Sequence, residues 1–120
     1  MAYRQVKDSK EVVVFFKATE RVGIDHESYE ALVKRMNEIV RAMPGFISIK
    51  PYEGEDGEHF WIIRFESEAA LDAWRSHPEH REAQRRGRDE FYESYWIQVC
   101  RVLREYEFKQ DAKATSGKAT

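Results

Sequence analysis

A chain of 120 residues, 42% hydrophobic and 35% charged, has the size and balance of one globular domain around one core. Its 20 basic and 22 acidic side chains nearly cancel to a formal net charge of −2, so it offers no field for gathering nucleic acid. The first ten residues are too polar for a signal peptide, and no apolar run approaches the roughly 18 residues of a membrane span; the sequence predicts a cytoplasmic protein without a membrane partner.

After that polar segment (1–10), Glu11-Val-Val-Val-Phe-Phe-Lys-Ala-Thr19 is β-branched and aromatic and reads as a strand. Gly23 punctuates the turn that follows, and Asp25 suits a helix N-cap, its carboxylate accepting from free amides of the first turn. Ile24 and Tyr29 stand in the places of a hydrophobic staple. Tyr29, Leu32, Val33, Met36, Ile39, Val40 and Met43 recur at steps of three and four, which predicts a helix over 26–43 that Pro44-Gly45 stops. Phe46–Tyr52 and Phe60–Phe65 read as a hairpin, with Asp56-Gly57 as its turn. Ser67 caps a short helix over 68–75. A second helix is expected over 77–89, capped by Ser76 with Pro78 in its first turn and Glu79 closing a capping box. Phe91–Phe108 contains a long fourth strand, and the tail 109–120, small and polar, is expected to be disordered.

The order β-α-β-β-α-β over 11–108 predicts an α+β, ferredoxin-like domain with a four-stranded antiparallel sheet. Such a sheet normally has one apolar face, yet these strands are apolar on both. Val12, Val14 and Phe16 oppose Val13 and Phe15; Phe60 and Ile62 oppose Trp61, Ile63 and Phe65; Ile97, Val99 and Leu103 oppose Trp96, Cys100 and Val102. Helices can cover one face only. A twofold copy covering the other is the economical solution, and two facing sheets make an eight-stranded barrel. Cys100, alone and within an apolar strand, reads as a buried spectator thiol.

The chain resembles the antibiotic biosynthesis monooxygenase (ABM) family of dimeric α/β barrels over roughly residues 11–108. The resemblance is carried by Met43-Pro-Gly-Phe46, Arg64-Phe-Glu-Ser-Glu-Ala-Ala-Leu-Asp-Ala-Trp74, His77-Pro-Glu-His-Arg-Glu-Ala-Gln84, Gly87-Arg88 and Phe91-Tyr92. It implies a homodimer and a small aromatic or hydrophobic ligand. Within the family, the haem-degrading branch has an Asn on the first strand, a Trp in the short helix and a ligating His about ten residues later. Here Trp74 matches, but Gln84 stands at the ligand position and no Asn occurs over 11–19, so haem lacks its axial bond. The cofactor-independent branch remains. The resemblance then implies a monooxygenase for an electron-rich phenol or quinol, needing an apolar pocket, a proton acceptor and a donor to the developing oxyanion. A non-catalytic binding or interaction domain on the same barrel is the alternative, because fold alone does not choose.

His80 is the candidate base: it shares a helical stripe with Ala83, Gly87 and Phe91, and histidine titrates near neutrality. Its competing role is a core histidine satisfied by a carbonyl. Paired with His77 it falls short of a metal site, which needs a third ligand. Arg64 and Arg101 each interrupt an apolar strand face, so each either holds a substrate oxyanion or makes an intersubunit salt bridge with a glutamate. Tyr95 either donates a proton or rests on a carbonyl, and Trp61 and Trp74 either line a pocket or fill the core. Arg75, Arg81, Arg85, Arg86 and Arg88 are interleaved with acids, which reads as a solvated helix face with Glu82–Arg86 and Arg85–Asp89 pairs.

Overall fold

The computed structural model describes residues 2–7 and 10–110. In chain order the elements are β1 (Ala2–Lys7), β2 (Val12–Glu20), α1 (His26–Arg41), β3 (Phe46–Glu53), β4 (His59–Phe65), α2 (Glu68–Arg75), α3 (Pro78–Arg86), β5 (Tyr92–Arg101) and β6 (Arg104–Lys109). A π-helical turn, Gly87–Phe91, joins α3 to β5. Four strands form one antiparallel sheet in the order β3-β4-β2-β5, the ferredoxin-like arrangement that the sequence predicts. No helix among the described residues is long and apolar enough to cross a membrane.

Register sorts the side chains as alternation requires. Val14 lies between Ile63 and Val99, and Phe16 between Trp61 and Ile97, on the helix side of the sheet. There Val12, Val14 and Phe65 join Val40 of α1 and Leu71 and Trp74 of α2 in the buried core. Phe15, Phe60, Ile62 and Trp96 point the other way; the Phe15 and Phe60 rings stack at 5.9 Å, and Trp96 remains 44% exposed. Cys100 is a free, half-buried thiol on that same side.

Local chemistry explains the joints. Asp25 caps α1 as expected, its Oδ1 accepting from the Ser28 amide at 3.1 Å, and Ser67 caps α2 by accepting from the Ala70 amide at 3.1 Å. Gly45 ends the α1–β3 turn at φ +82, and any Cβ there would fall 2.6 Å from Cβ of Ala70. Glycine is therefore required twice over, for its left-handed backbone and for the close approach of α2.

Three expectations need correction. The cap of α3 is His77, whose Nδ1 accepts from the Glu79 amide at 3.1 Å; Ser76 instead closes α2 by donating its amide to the Asp72 carbonyl at 3.0 Å. Glu79 does not reach back to form a capping box, because Arg35 of α1 holds its carboxylate through two 2.8 Å bonds. The final strand is not continuous. The Val102 amide makes the last in-register bond to β2, to the Glu11 carbonyl at 3.0 Å; Leu103 is then 75% exposed, and the chain resumes as β6, paired with β1 from Ala2↔Lys109 to Lys7↔Arg104. The polar start of the chain thus supplies a strand. Of the tail expected to be disordered, all but Lys109 and Gln110 lies outside the described residues.

Candidate functional site

Helices α1 and α3 stand off the sheet far enough to leave a cavity of about 480 Å³. That is the size of a small-molecule site. Phe16, Trp61, Ile63, Tyr95, Ile97 and Val99 form its floor; Tyr29, Leu32, Val33, Met36 and Asn37 of α1 form one wall; Trp74, His80, Ala83, Gln84 and Tyr92 form the other. Polar atoms are few on this apolar surface, so each has chemical consequence.

His80 reaches the cavity because His80, Ala83 and Gly87 fall on one side of α3 and its continuation. Its ring stacks on Trp74 with centroids 4.2 Å apart and planes 19° from parallel. Nδ1 is buried and has no hydrogen-bond partner among the described residues. Burial lowers the imidazole pKa to about 4, with the Trp74 backbone pulling the other way and the charges of His77 and Arg75 adding to the drop. At neutral pH the ring is therefore uncharged, one nitrogen a donor and the other an acceptor.

Two tyrosines also meet in the cavity lining. The hydroxyls of Tyr29 and Tyr92 are hydrogen-bonded at 3.0 Å. Burial pushes both phenols above their ordinary range, most strongly Tyr29, so both stay protonated. Tyr92 sits where it does because Gly87 has no side chain; a Cβ there would come within 2.9 Å of the Tyr92 ring. Arg21 holds the π-helical turn from outside, donating to the carbonyls of Tyr92 at 3.0 Å, Asp89 at 2.7 Å and Arg88. Those carbonyls are left over at a helix end, where a guanidinium fork satisfies them. Asn37 Nδ2 is engaged with the Val33 carbonyl at 3.0 Å.

Of the residues singled out in the sequence, His80, Tyr95, Trp61 and Trp74 share the cavity lining. The Tyr95 hydroxyl accepts from Arg88 Nη1 at 3.4 Å, and its ring stacks on Phe16 at 5.6 Å. Arg64 is elsewhere: it faces away from the helices and pairs with Glu11 at 3.3 Å and Glu105 at 3.9 Å. Arg101 is at the sheet's end, bonded to Glu68 of α2 at 2.6 Å. Both arginines thus pair with glutamates within the chain. Tyr29, Tyr92 and Asn37 were not foreseen as site residues; the two tyrosines are 63 positions apart, and nothing in the sequence says that their hydroxyls touch.

Just beyond the cavity's tyrosine end, Glu20 accepts from His26 Nε2 at 3.1 Å and from His59 Nε2. Burial raises the Glu20 carboxyl, but these hydrogen bonds outweigh it and hold the pKa below the usual value. Among the described residues, no group of three or more His, Cys, Asp or Glu is arranged to hold a metal ion.

A ferredoxin-like sheet with an apolar, histidine-bearing hollow beneath its helices defines an α+β domain with a cavity of small-molecule size. The model of the antibiotic biosynthesis monooxygenase family matches residues 23–86, and the chain belongs to that family. The uncharacterized protein YqjZ of Bacillus subtilis is 31% identical over 83 residues, covering 69% of this chain and 73% of its own length. Among solved structures, Rv0793 from Mycobacterium tuberculosis superposes with a TM-score of 0.69 at 26% identity, over 78% of this chain and 95% of that one. SnoaB, a cofactor-independent oxygenase from Streptomyces nogalater, superposes with a TM-score of 0.66 over 87% of this chain and 98% of its own; at 13% identity the likeness is one of fold.

Proposed function

We propose that this chain is a cofactor-independent monooxygenase acting on a small aromatic or quinol-type substrate held in the cavity between helices and sheet. One observation carries the reading: an apolar hollow of about 480 Å³ whose wall bears a neutral imidazole stacked on an indole. Trp61 and Trp74 are the walls against which a flat ring lies, and His80 is the base. With Nδ1 enclosed, Nε2 is the nitrogen that meets the substrate's acidic proton. Tyr95 is the hydroxyl we assign as donor to the developing oxyanion. Arg64 and Arg101 we assign to the ion pairs they make, not to chemistry.

A ring that resists protonation to about pH 4 is a weak base for a phenol while the cavity is empty. The substrate changes that. A phenolate about 4 Å away at an effective dielectric constant of about 20 stabilises the imidazolium by about 4 kcal/mol, equivalent to roughly three pH units. Proton transfer thus becomes feasible only as the anion forms, within an ion pair. The electron-rich anion then passes one electron to O2, the radicals join through a new C–O bond, the imidazolium returns its proton to the peroxide anion, and loss of water, taking the hydrogen on that carbon, turns the hydroperoxide into a carbonyl. One oxygen atom stays on carbon and the other departs in water. Such a protein works as a cytoplasmic homodimer, the apolar sheet face of each copy covering that of its twin.

The test is oxygen uptake with a panel of quinols and anthrones, for wild type and His80→Ala. Turnover that falls by about a hundredfold or more in the variant, within the usual range for removing a general base, supports the assignment. Ligand binding without oxygen uptake by wild type means a binding domain on the same fold.

A further inference from the structure

The cavity does not end at His80. At the elbow between α2 and α3 its wall continues into a polar, solvent-facing hollow lined by Asp72, Arg75, Ser76, Arg81 and Gln84, and Arg75 and Gln84 belong to both. The chemistry changes sharply across that boundary, from aliphatic and aromatic carbon to guanidinium, amide and hydroxyl. A ligand that fills both is apolar at one end and polar at the other.

The sign of the polar end follows from the ion pairs. Most arginines on these helices are matched: Arg35 by Glu79, Arg85 by Glu82 and Asp89, Arg86 by Glu90. Arg75 is matched by Asp72 at 3.2 Å. Arg81 has no ion-pair partner among the described residues. Asp72 is the one opposing charge in the hollow, and Arg75 already engages it, so the hollow carries one positive charge in excess. The hollow adjoins the imidazole, since Arg75, which lines it, stands near enough for its charge to act on His80.

We infer that the ligand is an aromatic carboxylate, its ring system in the cavity and its carboxylate in the hollow, received by Arg81 with Gln84 and Ser76 as neutral donors. This rests on the reading of the cavity as a ligand site. One surplus guanidinium suits a monoanion, and its planar fork matches two carboxylate oxygens. Arg81 is then a specificity residue: it selects the substrate by its charge and orients the ring against Trp74 without entering the proton transfer.

Calorimetric titration of the full chain with 2-naphthoate and with its uncharged isostere 2-naphthamide tests this, for wild type, Arg81→Gln and Lys34→Gln. Lys34 is an exposed α1 residue whose loss removes the same charge elsewhere. Wild type is expected to favour naphthoate by about tenfold, near the low end for a charge-assisted hydrogen bond, and to lose part of that preference in higher salt. Arg81→Gln abolishes the preference and leaves naphthamide unchanged, while Lys34→Gln changes neither. Equal binding of the two probes by wild type, or equal weakening of both by Arg81→Gln, overturns the inference and leaves the cavity reading standing. If neither probe binds, both fall.

Discussion

Replacing His80 by glutamine should change how stability depends on pH, by an amount set by the burial of the ring. An unfolded chain protonates this histidine near 6.5, whereas in the folded chain burial delays protonation to about 4. Between those values only the unfolded state takes up the proton, so acid favours unfolding. The contribution of His80 to stability is full above pH 6.5 and is lost as pH falls toward 4. The full loss is about 3 kcal/mol at about 1.36 kcal/mol per pH unit, and about 2 kcal/mol of it has occurred by about pH 5. Urea denaturation of wild type and His80→Gln at about pH 5 and about pH 8 measures it. Glutamine keeps a polar side chain and cannot titrate, and comparing the two proteins cancels other groups, including Glu20 with His26 and His59. The difference between the two pH values should be smaller in the variant by about 2 kcal/mol. The same pH dependence in both proteins refutes a buried, neutral His80, and with it the base we assign.

Gly45→Ala should destabilise the fold by about 2 kcal/mol or more in urea denaturation, since a left-handed backbone and a 2.6 Å approach to Ala70 both resist a side chain. Arg21→Gln should release the carbonyls of the π-helical turn and cost about 1–2 kcal/mol, seen as faster amide hydrogen exchange over 87–92 with little change in the core strands. Sedimentation should give a particle of twice the 14.3 kDa chain mass at micromolar concentration; a monomer would mean that the face of Phe15, Phe60, Ile62 and Trp96 tolerates water.

The fold was legible because periodicity reports burial directly. The α1 stripe from Tyr29 to Met43, the caps at Asp25 and Ser67, and the first three of the expected strands all reappear at or within two residues of their expected places. What escaped depends on competition between partners distant in sequence. Glu79 was placed in a capping box by its spacing, but Arg35, 44 positions away, offers a charged partner and wins. Val102 and Leu103 continue the alternation of β5, yet the strand ends there because it has run past the start of β2, its one neighbour in the sheet, with the Val102–Glu11 bond as the last rung. Helical phase turned His80 toward the cavity it lines, while the Tyr29–Tyr92 contact is a product of tertiary packing. Arg64 as a catalytic residue and Arg101 as a pocket residue were read from interrupted apolar faces, with glutamates of a second subunit as the alternative; the glutamates that engage them belong to the same chain.

The central claim is that His80 and a metal-free apolar cavity suffice for oxygenation. Incubating chelator-treated protein with an anthrone or quinol under ¹⁸O2, and weighing the product by mass spectrometry, tests it most directly. One ¹⁸O atom per product molecule, with the label and the rate lost together in His80→Ala, is the predicted result. A product without ¹⁸O, its new oxygen drawn from solvent water, or one formed equally fast without His80, contradicts it.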